Sequence, residues 1–251
     1  MSLWESMRKG TSFLGQWFLF RKLERQDGRF PVKWKDLHPC LKENTSTTSF
    51  DEHYIYHPAW AFRILARTRP ERHTDISSSL AFVSLLSAWI PVDFYDFRPA
   101  PLFLQGLNCR QADLLRLPFS DESISSLSCM HVIEHIGLGR YGDSLNAGGD
   151  IQAADELKRV LAPGGNLLVA VPIAAEPRCC FNAHRIYSWE QVLDMFSPLC
   201  FQEGALIPDD AIDQGLIPSP RKEVLIEQRY ACGCFWFRKE TESVSESKEK
   251  R

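Results

Sequence analysis

His131-Val-Ile-Glu-His135 packs two imidazoles and a carboxylate into five residues, and His184 follows in Phe181-Asn-Ala-His-Arg-Ile-Tyr-Ser188. Imidazole changes charge near neutral pH, so such a group can take up or hand on a proton. The five residues also fit the H-x-x-E-H pattern of a zinc peptidase. That chemistry needs a continuous helix to bring both histidines onto one ion. Here Ile124–Met130 reads as a strand, and Gly137 and Gly139 break any helix within a turn.

The elements around the cluster explain its position. Ile124–Met130 is apolar enough for a buried strand, residues 155–161 carry a helical apolar face that stops at Pro163-Gly164-Gly165, and residues 166–171 form the next strand. Upstream, Tyr54-Ile-Tyr-His-Pro-Ala-Trp60 leads into a helix to about Arg67. Strands are then expected at 72–77, Val92–Asp96 and 108–112, with an apolar helix over 79–89. Downstream come a helix over 188–196 and two segments, Cys200–Ile207 and 224–237, able to close the sheet as an antiparallel pair. The alternation predicts an α/β fold with a doubly wound, mostly parallel sheet and helices on both faces. Ligands of such sheets gather beyond the carboxyl ends of the strands. Asp75, Asp96, Asp113 and the run His131–Glu134–His135 all fall on that rim, which suits a nucleoside-like ligand.

The 251 residues, 44% hydrophobic and 24% charged, can bury one core of ordinary size with extensions. A formal net charge of -3 gives no global basic field, so nucleic acid is not an expected partner. No apolar run reaches the roughly 18 residues of a membrane span. Basic Arg21 and Lys22 follow Trp17-Phe-Leu-Phe20 where a signal peptide would need a small-residue cleavage site. The eight cysteines include no C-x-x-C pair, which suggests reduced thiols and a cytoplasmic protein. The expected organisation is a helical extension and polar linker over 1–50, a main domain over 51–238, and a disordered, charged tail over 239–251.

Over residues 71–207 the order of segments resembles the class I S-adenosylmethionine-dependent methyltransferases. Ala112-Asp113 with Leu117-Pro-Phe119, and Leu157-Lys-Arg-Val-Leu-Ala-Pro-Gly-Gly-Asn-Leu167, carry the resemblance. More narrowly, Tyr54 to Trp60, His73-Thr-Asp-Ile-Ser-Ser78, Asp96-Phe-Arg-Pro99 and His135-Ile-Gly-Leu-Gly-Arg-Tyr-Gly-Asp143 look like a methyltransferase-related family of nematodes and bacteria whose substrate is not established. The resemblance implies a Rossmann-like methyltransferase sheet with S-adenosylmethionine as cofactor. Asp75 would lie near its methionine part, Asp96 at the ribose hydroxyls and Asp113 at the adenine amino group, with His131 also on the cofactor side. Glu134, His135 and His184 would face the methyl acceptor, and Arg140 and Tyr141, on a mobile glycine-rich loop, would hold an anionic or sugar-like substrate.

One departure matters. Where the superfamily has Asp-x-Gly-x-Gly-x-Gly, this chain has Asp75-Ile-Ser-Ser-Ser-Leu-Ala81. A Cβ costs about 1 kcal/mol wherever the glycine would take a left-handed conformation. A wider loop with Ser77 or Ser79 against the cofactor is expected. The reaction implied is methyl transfer to an oxygen or nitrogen of a small molecule or glycan precursor. The alternatives are a non-catalytic binding protein of the same fold and a metal-dependent hydrolase. Glu134, His135 and His184 together form a candidate set for a divalent ion, which the cofactor assignment does not require. Nothing in the sequence indicates oligomeric state.

Overall fold

A computed structural model describes residues 3–241, so the expected tail beyond Thr241 lies outside the described residues. The chain divides into two compact units after Phe50. In the first, α1 (Leu3–Asp27) precedes a single turn at Trp34–Asp36, and Trp17 meets Phe18 and Trp34 edge-on at 4.8 and 5.2 Å. Among the described residues no helix is long and apolar enough to cross a membrane.

The second unit opens with α2 (Glu52–Thr68), capped by the Asp51 carboxylate, which accepts the Tyr54 N–H at 3.1 Å. It continues with β1 (His73–Ile76), α3 (Leu80–Ser87), β2 (Val92–Asp96), β3 (Leu107–Gln111), β4 (Ile124–Met130), α4 (Gly149–Val160) and β5 (Leu161–Ile173). A short antiparallel ribbon, β6 (Arg178–Cys180) and β7 (His184–Ile186), precedes α5 (Trp189–Met195). Then follow β8 (Cys200–Ile207), α6 (Ala211–Gln214), β9 (Ile217–Pro218), α7 (Lys222–Leu225) and β10 (Ala231–Arg238). The main sheet runs β3-β2-β1-β4-β5-β10-β8-β9. Strands β1 to β5 pair in parallel, while β10 is antiparallel to both β5 and β8.

The alternation along β5 shows why the sheet is covered twice. Leu167, Val169 and Val171 join α4 and α5 residues such as Leu157 and Phe196 in one buried cluster. Leu168 and Ala170 join Trp60, Ile64, Phe82 and Leu86 of α2 and α3 in the other. Each large side chain buried this way contributes about 1.5–3 kcal/mol.

Three boundaries differ from the sequence reading, the first being β5, which starts at Leu161 and not at 166. Residues 224–230, expected as strand, form the end of α7 and the turn before β10. Helix α4 starts at Gly149, six residues before Asp155, because Gly148 and Gly149 hide the start; a Cβ on Gly149 would stand 3.0 Å from the Ile136 carbonyl. Lys239 remains tied to the fold, its N–H bonded to the Gly165 carbonyl and its ammonium 3.0 Å from Glu122.

Candidate functional site

The carboxyl ends of β1 to β4 build the first half of the site. Asp75 is fully buried: one oxygen accepts the Ser78 N–H at 3.0 Å and the other the Ser128 hydroxyl. Burial raises its carboxyl to about 6, against the opposing hydrogen bonds from Ser128 and Ser78. Both carboxylate oxygens are thus engaged within the protein. Asp75 holds the first loop and β4 to β1, and the Ser78 hydroxyl completes the clamp by accepting the Met130 N–H at 3.0 Å.

Ser77 takes φ +55°, the left-handed conformation that a glycine would supply, and its N–H donates to the Tyr95 carbonyl at 2.8 Å. The glycine-like turn is therefore kept at a cost of about 1–2 kcal/mol. Ser79 caps α3, its hydroxyl accepting the Phe82 N–H at 3.3 Å. Asp96 ends β2 and accepts the Arg98 N–H through Oδ1. Asp113 lies two residues beyond Gln111, the register partner of Asp96, and accepts the Leu115 N–H at 2.9 Å through Oδ1. Among the described residues neither Asp96 Oδ2 nor Asp113 Oδ2 has a hydrogen-bond partner, which leaves two carboxylate acceptors on adjacent strand ends.

The second half lies past β4 and is richer than the sequence suggested. His131 has φ +58°, and its N–H donates to the Ala170 carbonyl at 2.7 Å. Its ring packs against α2. There it meets His53 and Tyr54 in stacked contacts at 5.2 and 5.4 Å, and His57 edge-on at 5.1 Å. The His131 side chain is only 6% exposed.

Glu134 is fully buried beside it. Its Oε1 lies 2.9 Å from His131 Nδ1 and 3.8 Å from His135 Nε2, and its Oε2 has no partner. Burial opposes charge on His131, but the Cys232 sulfur and the Glu134 carboxylate outweigh it and push the imidazole up to about 10. His135 Nδ1 lies 2.6 Å from the Ala183 carbonyl, which can only accept, so Nδ1 carries the proton and Nε2 is the basic nitrogen. His184 stands 6.3 Å from the His135 ring and 5.2 Å from that of Tyr230; burial and the neighbouring His135 lower its pKa. Only Ile133–His135 is helical here, as a single 3-10 turn, so the peptidase geometry is absent.

The loop after His135 is not loose. The Asp143 carboxylate gathers the N–H groups of Gly137, Gly139 and Tyr141 at 2.8, 3.3 and 3.2 Å. Arg140 donates to the Ala183 carbonyl at 3.0 Å and lies over the Tyr141 ring, which Arg98 also covers at 4.8 Å. Sequence reasoning assigned no role to His53, His57, Tyr230 or Cys232. The spacing of His53 and His57, four apart on one helix, was the available signal.

Solved structures define the class of this fold. The N-methyltransferase NodS from Bradyrhizobium japonicum, in complex with S-adenosyl-L-homocysteine, matches with a TM-score of 0.51 at 16% identity, covering 72% of this chain and 85% of that one. The Burkholderia thailandensis 1,6-didemethyltoxoflavin-N1-methyltransferase, with bound 1,6-didemethyltoxoflavin and S-adenosylhomocysteine, gives 0.51 at 11%, covering 74% and 79%. The (4+2)-cyclase SpnF gives 0.51 at 12%, covering 73% and 82%. The chain has the Rossmann-like fold of the class I S-adenosylmethionine-dependent methyltransferases. Within it, residues 120–200 match a family described as Caenorhabditis protein of unknown function, DUF268. No curated protein matches the chain in sequence.

Proposed function

We propose that the protein is an S-adenosylmethionine-dependent methyltransferase acting on an oxygen or nitrogen of a small molecule or glycan precursor in the cytoplasm. The observation that carries this reading is the pair of carboxylates at the ends of β2 and β3, Asp96 and Asp113, each with a free oxygen beside a first loop that keeps its left-handed turn at Ser77. These residues fit a nucleoside cofactor: Asp96 would accept the ribose hydroxyls as a bidentate acceptor, and Asp113 the adenine amino group. Ser77 and Ser79 would line the loop. Bound there, S-adenosylmethionine supplies an electrophilic methyl group on a sulfonium. Alignment of the acceptor then accounts for much of the rate. His135 Nε2 and His184 are the groups able to take a proton from a hydroxyl or amine, and the Glu134 carboxylate, 3.8 Å from His135 Nε2, would stabilise the imidazolium so formed.

A second reading, a non-catalytic binding protein, draws on Ser77, Ser79 and Ala81 standing where the superfamily has glycine. Thermal unfolding separates the two. Millimolar S-adenosylmethionine or S-adenosylhomocysteine should raise the Tm of the parent, and the Asp96→Ala chain should show little rise. No rise in the parent with either compound would refute the cofactor assignment and favour the binding protein, whose serine-filled first loop would have lost the cofactor.

A further inference from the structure

The buried corner beneath α2 brings together ligand atoms that no cofactor role uses. The side-chain donor atoms of His53, His131 and Cys232 all lie within 4.8 Å of one another. They come from three elements: the first turn of α2, the residue after β4, and the second residue of β10. In a tetrahedral zinc site, bond lengths of 2.0–2.3 Å place such atoms roughly 3.5 Å apart, so small side-chain adjustments suffice.

His131 is already set as a ligand. Its Nδ1 bonds the buried Glu134 carboxylate at 2.9 Å, while its Nε2 is buried with no hydrogen-bond partner. A carboxylate on one imidazole nitrogen fixes the ring and aims the other nitrogen, as the supporting carboxylates of metal-bound histidines do, and an ion bound at Nε2 would displace the proton that the imidazolium carries there. One turn along α2, both nitrogens of His57 are also buried and unpartnered, and its ring lies 5.1 Å from that of His131. Leaving several ring nitrogens unsatisfied in one place is costly for a corner with no occupant.

We propose that His53, His131 and Cys232 bind one transition-metal ion of the zinc class. Two imidazoles and a thiolate are a borderline-soft set that suits zinc or cobalt and disfavours magnesium or calcium, which take oxygen ligands. Three protein ligands leave a fourth position for water or an exogenous ligand, the pattern of a reactive site. The set differs from Glu134, His135 and His184. Glu134 supports a ligand instead of being one, and among the described residues the His53, His131 and Cys232 group is the one whose donor atoms converge.

The test uses the whole chain, stripped with a chelator and titrated with zinc or cobalt in the absence of any adenosyl compound. The parent should take up one equivalent per chain, and the cobalt form should show a thiolate-to-metal charge-transfer band with the strong visible absorption of tetrahedral cobalt. Cys232→Ser should lose the charge-transfer band, and His131→Ala should lose stoichiometric uptake. His53→Gln, on the half-exposed first turn of α2, provides a variant least prone to misfolding, and it should weaken zinc binding at least tenfold. Far-ultraviolet circular dichroism establishes which variants are folded. A parent without stoichiometric uptake, or folded variants that bind as tightly as the parent with an unchanged cobalt spectrum, would overturn the proposal. A chain that binds S-adenosylhomocysteine but no metal would overturn this inference and leave the cofactor reading standing.

Discussion

His73 and Asp75, on the same face of β1 and both fully buried, are joined through the single hydroxyl of Ser128, which lies 2.8 Å from His73 Nε2 and donates to the Asp75 carboxylate. Because that hydroxyl proton is committed to Asp75, His73 Nε2 must donate to the Ser128 oxygen. His73 Nδ1 then accepts from the Ser126 hydroxyl at 2.8 Å. The chain of bonds fastens β1 to β4 and fixes the first loop of the candidate site.

Its pH dependence follows from burial. Desolvation lowers His73 to about 3 from 6.5, so its contribution to stability is present above 6.5 and is lost as pH falls toward 3. Desolvation raises Asp75 to about 6 from 3.8, so its contribution is present below 3.8 and is lost as pH rises through 6. Between 3.8 and 6 the two slopes oppose each other. Asp75→Asn should leave the histidine slope, with stability falling toward acid, and His73→Asn the reverse, each by at most about 1.4 kcal/mol per pH unit. Urea unfolding across that window measures both slopes; variants whose slopes match the parent would contradict the assignment.

Ser77 holds φ +55° without being glycine. Ser77→Gly relieves that conformation but gains entropy in the unfolded chain, so the net stabilisation should lie between about 0 and 1 kcal/mol. Ser77→Val, β-branched in a left-handed position, should lose about 2 kcal/mol. Chemical denaturation gives both values, and a Ser77→Val chain as stable as the parent would mean the turn is drawn wrongly.

Two glycines in the following loop separate backbone strain from crowding. A Cβ on Gly137, at φ +79°, would stand 2.1 Å from the Asn146 carbonyl oxygen, whereas Gly142, at φ +87°, has nothing within 4 Å. Gly142→Ala should cost about 1 kcal/mol, and Gly137→Ala at least about 2 kcal/mol more. Equal losses in thermal or urea unfolding would show that the Asn146 contact is not made.

Most of the scaffold was legible because apolar periodicity is local: β2, β4 and β8 fall where their sequences place them. The misread span 224–230 combines valine, leucine, isoleucine and tyrosine, a strand-like composition. Its helical turn ending at Leu225 and the turn bonds from Glu227 and Gln228 to Val224 and Leu225 are set by packing instead. Topology places Asp96 and Asp113 at neighbouring strand ends, since strand ends share a rim. The bracing of Asp75 was not legible, because its burial and its bonds to Ser78 and Ser128 come from packing of β1 on β4. The corner of His53, His131 and Cys232 was hidden for a different reason: its members come from α2, the residue after β4, and β10, and neither cysteine spacing nor the H-x-x-E-H pattern links them.

The central claim is a nucleoside cofactor held at Asp96 and Asp113, and calorimetric titration of the full chain with S-adenosylhomocysteine tests it most directly. One site per chain is predicted, with affinity at least tenfold weaker in Asp96→Ala, a loss of about 1.4 kcal/mol, and unchanged in His184→Ala. Absence of binding at millimolar ligand, or an Asp96→Ala chain that binds as tightly as the parent, would contradict it.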